Sequence, residues 1–235
     1  MDIKILASSS AGNAYYVVDG DMPLLLEAGI PFYLIQQRLN FKTSQIAGCL
    51  VSHEHMDHAR ATKDLLKAGI DCYMTQGTAD ALSFTGHRVH IIKSLSQFRI
   101  GIWKILPFGT IHDAAEPVGF LLANQGDKLL YATDTEYIPY RFKGLTHILV
   151  ECNYSMEIVR RLKAAGGLDR ELWRRIINSH MSLETLVSFL KANDLSQVKE
   201  IWLLHLSDNN SDAAMFKRKI QEVTGKVIQV AGNRG

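Results

Sequence analysis

The sequence predicts an α/β protein in which two sheets carry helices on their outer faces. Three observations lead there. The first half is dense in short strand-like segments, and the second half alternates strand and helix patterns. Of 235 residues, 47% are hydrophobic and 21% charged, enough for a sizeable core without disulfide staples. We read residues 1–235 as one domain, because no repeat, low-complexity tract or linker interrupts the chain.

Segments 3–7, 14–18 and 23–26 read as strands separated by the turn-rich Ser8-Ser9-Ser10-Ala11-Gly12-Asn13 and by Asp19-Gly20-Asp21. Their close spacing predicts antiparallel pairing, since a parallel crossover consumes about a dozen residues. Pro31 opens a helix ending near Asn40, a proline in the first turn losing no hydrogen bond. The apolar run 46–51 reads as a buried strand and 57–68 as a helix closed by Gly69. Strands follow at 71–75 and 88–92, with a short helix after Gly77, and 98–107 reads as a strand bent at Gly101. Segments 118–123 and 128–132 form a hairpin around Asn124-Gln125-Gly126-Asp127. Next come a strand at 147–150, helices at 156–165 and 183–192, a strand at 200–206, a helix at 212–223 stopped by Gly225, and a last strand at 227–230.

No stretch reaches 18 apolar residues and the first ten residues read as a strand, so we expect a cytoplasmic protein with no membrane partner. The formal net charge of +2 neither demands nor forbids a nucleic-acid partner. Cys49, Cys72 and Cys152 are scattered, odd in number and set in apolar surroundings, which reads as reduced core thiols.

Of nine histidines, three fall in His53-Glu54-His55-Met56-Asp57-His58, between a strand end and a helix start. On an extended backbone His53 and His55 point to one side and grip one ion, while Asp57 and His58 reach a second. Nitrogen and oxygen donors of this kind suit zinc or manganese. Four ligands are too few for two ions. His112, Asp134 and His205, each just past a buried-looking strand, are the candidates to complete the set.

The HxHxDH string, the later single histidine, the Thr133-Asp134 pair and the last histidine resemble the metallo-β-lactamase superfamily. The resemblance implies a four-layer αββα sandwich, two central mixed sheets flanked by helices, with two divalent metal ions at one sheet edge. It assigns His53, His55 and His112 to one ion, Asp57, His58 and His205 to the other, and Asp134 to both. Leu25-Leu26-Glu27-Ala28-Gly29 resembles the family's early Asp-x-Gly segment, with Glu27 replacing the aspartate in a supporting role.

Asp134, where lactam-cleaving relatives use a cysteine, makes the implied site harder and better suited to phosphate. The segments Ala7–Ala14, His112–Pro117 and His205–Asn210 resemble the YycJ/WalJ-like group, which is similar to ribonucleases Z and J and associated with DNA exonuclease activity. Within that resemblance Glu151-Cys152-Asn153 and His180-Met181-Ser182 supply His180 as a proton donor or phosphate contact and Glu151 as its orienter. A bland alternative makes His180 a helix-start residue. The interval between Asp134 and His205 is too short for a β-CASP cap, and that between His112 and Asp134 too short for a long tRNA-binding arm.

The resemblance thus implies a metal-dependent phosphodiester hydrolase, a DNA exonuclease, with Asp57, His180 and Glu151 as catalytic residues. A small-molecule or cyclic-nucleotide phosphodiesterase, a thioester or lactone hydrolase and a non-enzymatic metal-stabilised nucleic-acid-binding protein are the alternatives. Arg160, Arg161, Lys163, Arg170, Arg174 and Arg175 form a cationic stretch able to attract a phosphate backbone, with Trp173 available for stacking. The same stretch reads equally as a solvated helix pair with Trp173 packed underneath. Lys217-Arg218-Lys219 reads as an ordinary solvated face.

Overall fold

The computed structural model describes residues 1–166, 170–207 and 209–232. Asp169 and Asp208, and the side chains of Arg170 and Arg175, lie outside the described residues. The chain divides into two compact units, one of Met1–Gly109, Ala114–Gly126 and the C-terminal residues, the other of Thr110–Asp113 and Asp127–Ala231.

In the first unit β1 (Asp2–Ala7), β2 (Ala14–Val18) and β3 (Leu24–Leu26) pair antiparallel, as their close spacing predicts. The parallel strands β4 (Gly48–Leu50), β5 (Cys72–Thr75) and β6 (Val89–Ile92) extend them into a six-stranded mixed sheet. Between them lie the short helices α1 (Phe32–Arg38), α2 (Met56–Ala59), α3 (Thr62–Lys67) and α4 (Gln76–Ala81). Leu25, Cys49, Cys72 and Met74 from the sheet, with Val51 just past β4, bury one face in a core with Ile35, Leu39 and Leu65 from α1, its cap and α3. That burial orients the strand ends that carry the chemistry, since parallel β4 and β5 both run toward loops at the same edge.

Two elements depart from the sequence reading. The helix expected over 57–68 is two helices, α2 and α3, broken at Arg60-Ala61. The Ala61 N–H donates to the Ala28 carbonyl at 2.7 Å, and the Ala28 N–H to the His58 carbonyl at 2.7 Å. These long-range bonds take backbone groups that a continuous helix would use itself. The strand expected over 98–107 is an antiparallel pair, β7 (Phe98–Ile100) and β8 (Trp103–Gly109), reversing at Gly101 with φ +52°. A bend was expected there; the left-handed glycine makes a full hairpin. β9 (Val118–Asn124) pairs antiparallel with β8.

The second unit is parallel: β10 (Asp127–Ala132), β11 (His147–Glu151), β12 (Glu200–Leu204) and β13 (Val227–Val230), each beside the next. All five residues of β11 are buried, as an apolar run covered on both faces requires. The helices α5 (Met156–Ala164), α6 (Arg170–Ser179), α7 (Leu183–Ala192) and α8 (Ala213–Thr224) supply the crossovers. Ser155, Ser182 and Asp212 cap α5, α7 and α8 by accepting a first-turn N–H, and Gly225 ends α8 at φ +66°. No described helix is long and apolar enough to cross a membrane. All three cysteines are buried free thiols, and burial pushes those of Cys49 and Cys152 well above the usual range, in keeping with the core reading.

Candidate functional site

In the first unit the histidine cluster starts just past β4 and runs into α2. His53 and His55 rings meet edge-on with centroids 4.7 Å apart, and His53 and His58 rings lie 4.3 Å apart. The Asp57 carboxylate stands 3.3 Å from His58 Nε2 and is the exposed member of the pair. The four cluster residues named by the sequence therefore converge. His55 leads α2 as its N-cap and Asp57 lies in its first turn.

Two buried groups hold this cluster from behind. Glu27 sits just after β3 at φ +63°, fully buried, and accepts the Ser52 N–H at 3.2 Å. Its Oε2 lies 3.6 Å from His58 Nδ1, which puts the longer carboxylate behind the cluster, where the resemblance expects a supporting aspartate. Asn13 is the support that sequence reasoning missed. Its backbone N–H donates to the Asp57 carbonyl at 2.8 Å, and its side-chain amide donates to the Ser9 carbonyl at 3.1 Å and reaches His58 Nε2 at 3.2 Å. The Tyr15 hydroxyl donates to Asn13 Oδ1 at 3.0 Å. Gly29 completes the clamp, its N–H donating to the Asn13 carbonyl at 2.8 Å.

A side chain at Gly29 has no room. An added Cβ would lie 1.7 Å from the Asp57 carbonyl oxygen and 2.7 Å from the Asn13 nitrogen. Gly29→Ala is expected to destabilise the protein by about 3 kcal/mol or more, because both close neighbours are backbone. Urea denaturation of parent and variant measures this, and equal midpoints would show that the clamp yields freely.

In the second unit five of the named residues gather beyond the strand ends. Asp134 follows β10 at φ +45° and His205 follows β12 at φ +51°. Left-handed backbone at such residues is costly and here turns the side chains at once out of the strand direction. His112 Nδ1 donates to the Ser179 carbonyl at 2.9 Å, and its Nε2 stands 3.5 Å from Asp134. A carbonyl only accepts, so Nε2 carries the lone pair. Burial also lowers the His112 pKa, favouring the neutral ring.

Glu151, at the end of β11, is the hub. Its Oε1 accepts from His180 Nδ1 at 2.6 Å and from His205 Nδ1 at 3.0 Å. Its Oε2 accepts the backbone N–H groups of Thr135 at 3.1 Å and Met181 at 3.2 Å. Burial alone would raise the Glu151 pKa, but His180 and then His205 outweigh it and hold the carboxyl below the usual glutamate range. Burial works against charge on His205 as well, yet Asp134 and Glu151 raise its pKa. The His180 ring lies between those of His112 and His205, at 5.5 and 5.2 Å. His180 follows α6 directly, its N–H donating to the Ile176 carbonyl, and stands two residues before Ser182, the N-cap of α7. Asn153 fixes the last histidine by donating to its carbonyl at 2.8 Å.

Asp134, Glu151, His180 and His205 offer ligand atoms within 4.8 Å of one another. Imidazole nitrogen with carboxylate oxygen is a donor set that divalent zinc or manganese accepts. Glu151 accepts four donors, so it orients the imidazoles as a partner behind the ligands does in metal sites. The cationic stretch occupies α5 and α6. Arg160, Arg161, Lys163 and Arg174 are exposed, and Trp173, half-buried, meets the Tyr154 ring edge-on with centroids 5.2 Å apart.

A family model described as the beta-lactamase superfamily domain matches residues 24–206. The chain belongs to this superfamily. Its two mixed sheets with flanking helices are the superfamily's α/β sandwich. An exodeoxyribonuclease YycJ of Bacillus anthracis is 27% identical over 241 residues, covering 95% of this chain and 89% of the relative. An exodeoxyribonuclease WalJ of Streptococcus pneumoniae is 29% identical over 225 residues, covering 88% and 82%. Among solved structures, the metallo-beta-lactamase fold protein YhfI from Bacillus subtilis superposes with a TM-score of 0.75 at 14% identity, covering 98% of this chain and 95% of that one. This superfamily chain carries His/Asp clusters able to hold metal ions.

Proposed function

We propose that the protein is a metal-dependent phosphodiester hydrolase acting on nucleic acid, most specifically a DNA exonuclease, and that both units work as one catalytic domain. The observation that carries this is the Glu151 hub: one buried carboxylate orienting both His180 and His205 beside Asp134. His180, hydrogen-bonded to Glu151 through Nδ1 and outside the ligand set read from the sequence, suits a proton carrier aimed at a leaving group. The relatives named exodeoxyribonucleases support the substrate class.

In this reading His53, His55 and His112 would hold one divalent cation and Asp57, His58 and His205 a second, with Asp134 as a further ligand. The donors fit zinc or manganese equally. Such a pair supplies charge neutralisation at phosphorus and an activated water near neutral pH. The chain's own groups do the rest. Asp57 accepts a proton from the attacking water, His180 delivers one to the leaving oxygen from the ring nitrogen that Glu151 does not hold, and Glu151 keeps that ring in place. Three buried free thiols fit a reducing compartment such as the cytoplasm. Arg160, Arg161, Lys163, Arg170, Arg174 and Arg175 would contribute electrostatic attraction for the phosphate backbone.

The test incubates metal-analysed protein with end-labelled single- and double-stranded DNA and matched RNA. Stepwise shortening of DNA is expected, lost on chelation and restored by zinc or manganese. Chelation is also expected to lower the melting temperature, because an ion bound only by the folded state stabilises it by mass action. Hydrolysis of small esters alone, with every polynucleotide left intact, would overturn the reading.

A further inference from the structure

Beside the histidine cluster the first unit holds a cavity of about 470 Å³ lined by Ser10, Ala11, Met56, Asp57 and Arg60. It is an open depression rather than an enclosed cavity, with Ser10, Ala11, Met56 and Arg60 all exposed along it. Its chemistry is unusual for a protein surface. Met56 is 60% exposed, a large apolar side chain beside a carboxylate with no core to fill. Arg60 is exposed and makes no ion pair among the described residues. The Ser10 hydroxyl likewise makes no hydrogen bond among them.

The walls are fixed. Ser10 and Ala11 belong to the β1–β2 loop, whose Ala11 N–H donates to Ser9 Oγ at 3.2 Å and Gly12 N–H to the Ser9 carbonyl at 3.0 Å. Asn13 joins that loop to the opposite wall by its bond to the Asp57 carbonyl. Ligand entry therefore orders little backbone, and less binding energy is lost to entropy. Arg60 owes its place to the break between α2 and α3, the feature that the sequence reading did not foresee.

A cation, an apolar thioether and a hydroxyl beside the Asp57 carboxylate are groups that a nucleotide unit can engage. Guanidinium grips phosphate in a planar fork, methionine sulfur lies well against aromatic rings, and a serine hydroxyl bonds phosphate or sugar. We propose that this pocket is the subsite for the nucleotide next to the scissile phosphodiester, with Arg60 on the adjacent phosphate and Met56 against the base. The proposal rests on the nuclease reading above and deepens it. It makes the site select a chain of nucleotides over an isolated diester, because an isolated diester leaves Arg60 with no phosphate to hold.

Binding of a fluorescein-labelled single-stranded oligonucleotide to metal-free protein, followed by anisotropy at several salt concentrations, tests it. Arg60→Ala is expected to weaken binding about tenfold and to reduce the slope of log affinity against log salt by about one. Arg60→Lys recovers part of the loss, Met56→Ala weakens binding with the salt slope retained, and Lys217→Ala, on the solvated face of α8, serves as the charge-loss control. In the metal-loaded enzyme Arg60→Ala raises KM for the oligonucleotide at least about tenfold more than KM for bis(p-nitrophenyl) phosphate. Parent affinity and salt slope in Arg60→Ala overturn the subsite and leave the nuclease reading intact. A parent that neither binds nor cleaves any oligonucleotide overturns both.

Discussion

Asp57→Ala is expected to lower phosphodiester turnover by at least about 10³-fold while the protein still folds, combining loss of a positioned base with loss of a cation ligand. The structure separates the two roles of this residue. Its backbone carbonyl accepts the Asn13 N–H and anchors the β1–β2 loop, and alanine keeps that carbonyl. Its side chain is partly exposed and meets His58 Nε2 at 3.3 Å, so truncation leaves no cavity in the core. Chelated parent and variant should therefore melt within a few degrees of each other, a stability difference of about 1 kcal/mol or less. Asp57→Asn separates ligation from base catalysis, because the amide keeps an oxygen donor but takes up no proton. Metal analysis by mass spectrometry alongside rates distinguishes the two. Parent-like cleavage by a purified Asp57→Ala protein would remove Asp57 from the mechanism.

The second large effect concerns His180 and its positioning partner. His180→Ala is expected to lower kcat about 10²–10⁴-fold on DNA, the usual range for a proton donor. The loss should be far smaller on bis(p-nitrophenyl) phosphate, whose nitrophenolate leaves without protonation. This split by leaving group is one that a purely structural role would not produce. Glu151→Gln should reproduce part of the loss in kcat and also flatten the pH profile, since an amide holds the imidazole less firmly. It should destabilise the protein too. Four donors converge on the Glu151 oxygens, and a glutamine turns its NH₂ toward two of them, leaving buried N–H groups unmatched at about 1–3 kcal/mol each. An equal loss on both substrates would reduce His180 to a structural residue.

Part of the site is legible in the sequence because its spacing is local. His53, His55, Asp57 and His58 lie within one strand-to-helix turn, and short range in sequence is short range in space. Strand ends at Asp134, Glu151 and His205 were legible because buried parallel strands read as apolar runs that stop abruptly. The helix break at Arg60 was not. It depends on backbone bonds between Ala61, Ala28 and His58, and no propensity in residues 57–68 encodes a partner so far away in the chain. The conversion of segment 98–107 into a hairpin failed differently. Its apolar composition fits one strand or two, and the left-handed Gly101 decided between them. For Trp173 the sequence holds both stacking and packing open, and the edge-on contact with Tyr154 is a tertiary feature that no local pattern encodes.

The sequence alone determined the class of fold, the superfamily and the donor types, because hydrophobic period, strand-end chemistry and ligand spacing are properties of the chain itself. The tertiary structure decided which groups serve which. Asn13 clamps the cluster, Glu27 replaces a shorter carboxylate through a left-handed turn, and Glu151 binds two histidines from distant loops. The physical reason is that hydrogen-bond partnership depends on distance and direction to a few tenths of an ångström, and only packing of the whole chain sets those.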